Sequence, residues 1–245
     1  MRGFVDLHCH WIAGIDDGVR SADAGVELLR GLRRAGFDVV VATPHMRPGM
    51  FDNDRPSLER AFAAMCPHLV DRDDLPDVHL ASEHFLDDVV FARLMRGAGL
   101  PYPALADTRR ARRGVLIELH PQGFPPQLQH RLFDLARAGL RPVIAHPERY
   151  QPVWKDDACL DPLIDAGACL LLDVCALVGK YGRAAQRAAE KLLDDEAYEA
   201  ACSDAHRPDD AAVTADAIGE LEEHVGRAEA ERLLRDGPRG ILGLA

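Results

Sequence analysis

The chain alternates short apolar runs with longer stretches of helical period, and that alternation is its main structural signal. Phe4 to His10 alternates apolar and polar side chains, the pattern of a half-buried strand. Strict alternation turns Asp6, His8 and His10 to one side and Val5, Leu7 and Cys9 to the other. Ser21 then reads as an N-cap, with Asp23 in the first turn and Val26, Leu29 and Leu32 on one face up to Gly36. Phe37 to Ala42 is a nearly continuous, Val-rich run of the kind buried on both faces of a parallel sheet, and it ends in Thr43-Pro44-His45.

Further strands are predicted at Val78–Glu83, Val115–Leu119, Arg141–Ala145, Cys169–Val174 and Ala200–Asp204. Helical patterns lie between most of them, near 56–70, 87–97, 126–138, 157–166 and 183–196, and a tail from Ala211 to Leu234 is helical until Pro238 and Gly240 break it. The punctuation Ala-Gly-apolar recurs at Gly36, Gly139 and Gly167, where a glycine ends a helix and a strand follows at once. A fourth copy at Gly99 leads instead into a proline-containing loop. Strands alternating with helices predict parallel strands joined by crossover helices, and 245 residues is a common length for a single-domain α/β barrel. No internal boundary or linker divides the chain.

In parallel α/β folds the C-terminal strand ends converge on one face, where active sites are built. Here those ends carry His8 and His10, His45, Glu83, Glu118, His146, then Asp204 and His206, and Asp17 sits on the first turn. These nine side chains, five imidazoles and four carboxylates with no thiolate, suit manganese, iron or zinc rather than copper(I) or an iron–sulfur centre. Nine donors exceed the needs of one ion, whereas three ions sharing a bridging carboxylate would use them all. Three divalent ions against four carboxylates leave a site charge of roughly +2, attractive to a phosphate dianion.

The remaining histidines carry less. His68, His130 and His224 fall on helical surfaces, His79 sits within a strand, and His84 and His120 each follow a candidate ligand towards the cavity rim. The six cysteines (Cys9, Cys66, Cys159, Cys169, Cys175 and Cys202) contain no C-x-x-C pair and read as reduced thiols, mostly buried. Cys9 and Cys202 lie beside candidate ligands, and alternation is expected to turn both away. Cys66 to Arg72 has the C-x5-R spacing of cysteine-dependent phosphatases, but Pro67 removes a backbone donor and Asp71 would repel an anion.

A net charge of −11 argues against nucleic acid as a partner. The absence of an eighteen-residue apolar run and of a leader pattern predicts a cytoplasmic protein that does not insert into membranes. Arg109, Arg110, Arg112 and Arg113 form a basic run that reads as a solvated loop.

The chain resembles the PHP (polymerase and histidinol phosphatase) family, and within it the bacterial tyrosine-phosphatase branch linked to capsule and exopolysaccharide synthesis. The resemblance rests on Asp6-Leu7-His8-Cys9-His10 with Ile15-Asp16-Asp17-Gly18, and on Thr43-Pro44-His45 with Arg47, Gly49, Met50 and Phe51. It continues through Glu83, Leu116-Ile117-Glu118, His146-Pro147-Glu148-Arg149-Tyr150, Ser203-Asp204-Ala205-His206 and Pro238-Arg239. It implies a distorted (β/α)7 TIM-like barrel, a single PHP-type metallophosphatase domain over 1–245, holding three metals, usually manganese, with Fe, Co or Zn possible. Carried across, His8, His10, Glu83 and Asp204 would hold one ion. Glu83 would bridge to a second, completed by Glu118 and His146, and Asp17, His45 and His206 would hold the third.

Arg149 matches the family's phosphate-clamping arginine, and Arg47 lies in a matching motif. The family's second arginine follows the last histidine in an Asn-x-x-x-Arg stretch. Here the text is His206-Arg207-Pro208-Asp209-Asp210, so either Arg207 substitutes or the second clamp is missing. The implied activity is protein-tyrosine phosphatase, by metal-activated hydroxide without a phosphoenzyme, with Glu83 and His146 essential. The implied partner is a phosphotyrosine protein such as a bacterial tyrosine kinase of polysaccharide export, and an oligomer is compatible with it. Phosphatase action on a small metabolite such as histidinol phosphate, a non-catalytic metal-binding module and, more distantly, a TatD-like nuclease are the alternatives.

Overall fold

The computed structural model describes residues 2–105 and 112–244. Arg109 and Arg110 of the basic run lie outside the described residues. Arg113 is held by its guanidinium, which donates to the Tyr102 carbonyl at 3.0 Å.

The elements follow in the order β1 (Phe4–Cys9), α1 (Ala22–Ala35), β2 (Phe37–Ala42), β3 (His45–Met46), α2 (Arg55–Met65), β4 (Asp77–Leu80), β5 (Glu83–Phe85) and α3 (Asp88–Met95). Then come β6 (Arg113–Glu118), α4 (Leu128–Arg137), β7 (Leu140–Ala145), α5 (Gln151–Lys155), α6 (Asp161–Asp165), β8 (Cys169–Asp173), α7 (Arg183–Asp194) and β9 (Tyr198–Cys202). The chain closes with α8 (Asp210–Val225), α9 (Arg227–Glu231) and α10 (Gly237–Ile241), the last two joined by a π-helical turn. All strand pairings are parallel, in the orders β1-β2-β4 and β3-β5-β6-β7-β8-β9.

The two sheets form one barrel. Thr43-Pro44 splits β2 from β3 and Ala81-Ser82 splits β4 from β5, so each pair is a single stave crossing from one sheet to the other. Counted this way the barrel has seven staves. It closes where Asp204 N–H donates to the His8 carbonyl and His10 N–H to the Ala205 carbonyl, both at 2.9 Å. Inside, Val5, Leu7, Val41, Leu116, Val143, Leu171 and Ala200 form one apolar cluster, and Tyr102 donates its hydroxyl to the Leu7 carbonyl at 2.8 Å. Outside, the helices pack on the opposite strand faces through a larger cluster that includes Phe4, Leu32, Phe37, Val40, Leu132 and Ile144.

The helix-ending glycines behave as their spacing predicts. Gly36, Gly139 and Gly167 each hold positive φ, a conformation glycine adopts at little steric cost, and a strand follows each. The C-terminal tail differs from its pattern. It breaks at Gly226, and Pro238 lies within the first turn of α10, a position that tolerates proline. Gly237 is required there by contact: a Cβ would stand 2.0 Å from the Glu199 carbonyl. The expected helix over 157–166 is instead a 3-10 turn followed by the five-residue α6.

Three side-chain expectations are corrected. Leu7 packs inside the barrel whereas Cys9 packs outside, so alternation is interrupted in β1, where its register against β2 also shifts between Asp6 and Cys9. Cys202 shares the inner column with Asp204, yet its thiol donates to the Leu172 carbonyl at 3.2 Å. His84 does not reach the rim. It is fully buried, and its Nε2 accepts from Leu100 N–H at 3.1 Å while its Nδ1 donates to the Leu116 carbonyl at 3.0 Å. Burial pushes its pKa down to about 4, so the ring stays neutral and stitches the 99–100 loop to β5 and β6. Replacing His84 with Leu strands a buried N–H and a buried carbonyl, each costing about 1–3 kcal/mol. Urea unfolding of the variant should register that loss; a change within about 0.5 kcal/mol, typical of an uninvolved surface position, would contradict the stitch.

Candidate metal centre

The nine side chains expected as ligands meet at the C-terminal mouth of the barrel. β1 delivers His8 and, just beyond it, His10; the following turn delivers Asp17. β3 opens on His45, which pairs directly with Glu83 at the start of β5. β6 ends in Glu118, His146 follows β7, and Asp204 and His206 follow β9.

Glu83 is the hub. Its Oε2 lies 3.2 Å from His8 Nε2, 3.5 Å from His10 Nε2 and 3.0 Å from His45 Nδ1, and its Oε1 lies 3.1 Å from His146 Nε2. Asp204 Oδ1 stands 3.2 Å from His8 Nε2 and 3.5 Å from His10 Nε2. Asp17 Oδ1 stands 3.4 Å from His45 Nε2 and 3.5 Å from His206 Nε2. The donors fall into compact groups: His10, Asp17, His45 and His206; His8, His10 and Asp204; His8, Glu83 and His146; and His45, Glu83 and Glu118. This grouping differs in several places from the partition the resemblance implies. His10 also joins the Asp17 group, His8 gathers with Glu83 and His146, Glu83 is not in the His8–His10–Asp204 group, and Glu118 gathers with His45.

Burial alone would raise the Glu83 pKa, yet the facing His8 and His45 hold it well below the usual carboxylate range. His45 is opposed by burial but carried up to about 10 by Glu83 and Asp17. Glu118, desolvated and facing the Glu83 charge, is raised to about 7, and His146 is pushed down to about 4 by burial and Arg149. His146 and Asp204 are also among the few described non-glycine residues with positive φ, at 36° and 43°. Such left-handed backbone costs about 1 kcal/mol or more and concentrates at functional sites.

Arg149 belongs to the mouth. Its guanidinium donates to Asp204 Oδ2 at 2.5 Å, lies 3.7 Å from Asp173 Oδ2, and stacks 4.3 Å above the Tyr181 ring. Arg47 reaches the opposite wall, 3.7 Å from Glu118 Oε1 and 4.1 Å above the Phe85 ring. The turn it opens returns through Phe51, whose ring stacks on His45. The Arg207 side chain is exposed and makes no hydrogen bond or ion pair among the described residues; its backbone N–H donates to the Asp210 carboxylate and its carbonyl accepts from the Asp210 N–H. His120 is exposed.

Several participants escaped the sequence reading. Asp16 accepts from His10 Nδ1 at 2.8 Å and from the His45 N–H at 3.1 Å, so it orients two of the donors. Its position beside Asp17 hid it, because sequence alone does not say which of two adjacent acids faces the cavity. Asp173 ends β8 and would have been found by the same strand-end rule that identified the others. Glu148 is fully buried, accepting from the Asp173 N–H at 3.1 Å and the Tyr198 hydroxyl at 3.0 Å, and thereby ties β7 to β8 and β9. An open cleft of about 790 Å³ at the other end of β7–β9 carries charges that are already paired, Arg141 with Glu199 and His224 with Asp194.

A seven-stave parallel barrel with His and acidic donors crowded at its C-terminal mouth has the architecture of the TIM-barrel-like metal hydrolases. The phosphotriesterase from Mycobacterium tuberculosis shares this fold, with a TM-score of 0.55 at 16% identity over 98% of this chain and 94% of that one. The chain belongs to the capsular polysaccharide synthesis family CpsB/CapC, whose model matches residues 4–243. It is 27% identical over 208 residues to the tyrosine-protein phosphatase YwqE of Bacillus subtilis strain 168, covering 82% of this chain and 77% of that protein. It is 26% identical over 257 residues to the tyrosine-protein phosphatase CpsB of Streptococcus pneumoniae, covering 97% and 98%. A crystal structure from work on YwqE and CpsB, described as unique metal-dependent tyrosine phosphatases, superposes with a TM-score of 0.84 at 25% identity, covering 98% of this chain and 94% of that one.

Glu148 generates a pH prediction. Burial and the nearby Asp173 raise its pKa from 4.5 to about 8, so the folded protein holds a proton that the unfolded chain releases. The resulting stabilisation is full below pH 4.5 and is lost as pH climbs towards 8. Glu148→Gln keeps the neutral form and should flatten that part of the decline. Denaturant unfolding of both proteins between pH 5 and 8 checks this, and parallel curves would refute the assignment.

Proposed function

We propose that this protein is a metal-dependent phosphoric monoester hydrolase acting on phosphotyrosine in proteins. One observation carries the reading: nine His, Asp and Glu side chains converge around Glu83 beside Arg149, in a chain of the CpsB/CapC family. The donor set fits divalent cations. His8 Nε2 and His10 Nε2 face each other at 3.2 Å, and His8 Nδ1, His45 Nδ1, His146 Nδ1, Glu118 Oε2 and Asp204 Oδ1 are buried without a well-directed hydrogen-bond partner. His8, His10, Glu83 and Asp204 would hold one ion, Glu83, Glu118 and His146 a second, and Asp17, His45 and His206 a third. The His45–Glu83–Glu118 grouping leaves room for Glu118 to face either of the last two. We assign manganese, with iron, cobalt and zinc also suited to these donors.

Bound there, divalent cations lower the pKa of water and offset charge on phosphoryl oxygens. The chain's own residues supply the rest. The Arg149 fork matches two phosphate oxygens, and Asp173 and Tyr181 hold it at the mouth. Cys9 and Cys202 are buried, and burial raises both thiols well above their ordinary range, so neither offers a thiolate nucleophile. We assign the attack to water, with no phosphoenzyme. The family's link to capsular polysaccharide supports a tyrosine kinase of polysaccharide export as the protein partner.

Hydrolysis of p-nitrophenyl phosphate and of a phosphotyrosine peptide should vanish on exhaustive chelation and return with manganese. Glu83→Ala and His146→Ala should each cost about a hundredfold or more, with the far-ultraviolet dichroism unchanged. Near-full rates in either variant, or in chelated enzyme, would sink the proposal, and faster turnover of histidinol phosphate than of peptide would move the substrate. Asp16→Asn tests the outer support. It should raise the manganese concentration needed for half-maximal rate by about 10–100-fold while the saturated rate changes less.

A further inference from the structure

Resting on the phosphatase reading above, we propose that Lys180 is the second phosphate-binding cation of this mouth, in the role that position alone would give to Arg207. Lys180 lies in the loop between β8 and α7. Its Nζ stands 3.1 Å from Asp210 Oδ1, while the other oxygen of Asp210 accepts from the backbone N–H groups of His206 at 2.8 Å and Arg207 at 3.0 Å. One carboxylate therefore fixes both the last candidate ligand and the Lys180 ammonium. The same ammonium lies 5.5 Å from the centre of the Tyr181 ring, and the Arg149 guanidinium lies 4.3 Å from it. Two cations on different loops share one aromatic wall, and the Tyr181 phenol lies against Asp173, which also faces Arg149.

The chemistry of the two cations is complementary. An ammonium carries three N–H donors, of which Asp210 engages one, and the Lys180 side chain keeps 24% of its surface exposed. Two donors remain for phosphate oxygens, delivered on a flexible four-carbon stem as a compact charge beside the planar Arg149 fork. Arg207 has no comparable support. Its side chain is exposed, and Pro208 restricts its backbone to extended conformations.

Steady-state kinetics, inhibition by inorganic phosphate and calorimetric titration with phosphate, all on manganese-loaded full-length protein, test the proposal. Manganese-dependent hydrolysis by the unaltered protein comes first; its failure would refute the parent reading by itself. Lys180→Met should then raise KM and weaken phosphate inhibition and binding by about tenfold, the worth of one charge-assisted hydrogen bond, with bound metal unchanged. Lys180→Arg should recover most of that loss, and Arg207→Met should lose less than Lys180→Met. Unchanged phosphate binding in Lys180→Met, or a larger loss in Arg207→Met, would overturn the proposal. So would a fall in metal content matching that of Asp210→Asn, because it would reduce Lys180 to a prop for His206.

Discussion

The mouth of the barrel is organised around one buried carboxylate. Glu83 is almost completely shielded from water, and a carboxylate in that setting is tolerated only where compensating groups surround it. Four imidazoles do so: those of His8, His10, His45 and His146. They come from widely separated points in the chain, and bringing them to one carboxylate requires a nearly closed ring of parallel strands. The splits at Thr43-Pro44 and Ala81-Ser82 let two staves cross between sheets, which places His45 directly opposite Glu83. The left-handed backbones of His146 and Asp204 are a local cost of aiming their side chains inward.

Around this hub the mouth is polar in layers. Asp16 fixes His10 and the His45 backbone from behind, and Glu148 locks the start of the β7 loop to β8 and β9. Arg149 and Arg47 stand at opposite walls, each pairing with an acidic donor while resting on an aromatic ring. An anion entering the mouth would compete for arginines that are already oriented. The overall charge of −11 gives no long-range attraction for a phosphate, so recognition rests on this local constellation rather than on the field of the whole protein.

The barrel and most of the site were legible in the sequence because parallel strands have a simple grammar. Apolar runs such as Phe37–Ala42 and Leu170–Leu172 are buried on both faces, so their ends stand out, and the residues at those ends face one mouth. The same rule applied without omission would have included Asp173. The two-residue alternation failed at Leu7 and Cys9, where the register is irregular, and the helix-breaker expectation failed at Pro238, which lies in the first turn of a helix.

What the sequence determined by itself is the set of candidate donors, their chemical type and the ring of strands that carries them, since periodicity and residue identity are local properties. Tertiary structure alone decided how the donors are grouped, that Asp16 backs His10 and His45, that His84 is a stitch, and which cations share the Tyr181 wall. Those are distances between residues far apart in the chain, fixed by strand register and side-chain packing, and no local pattern encodes them.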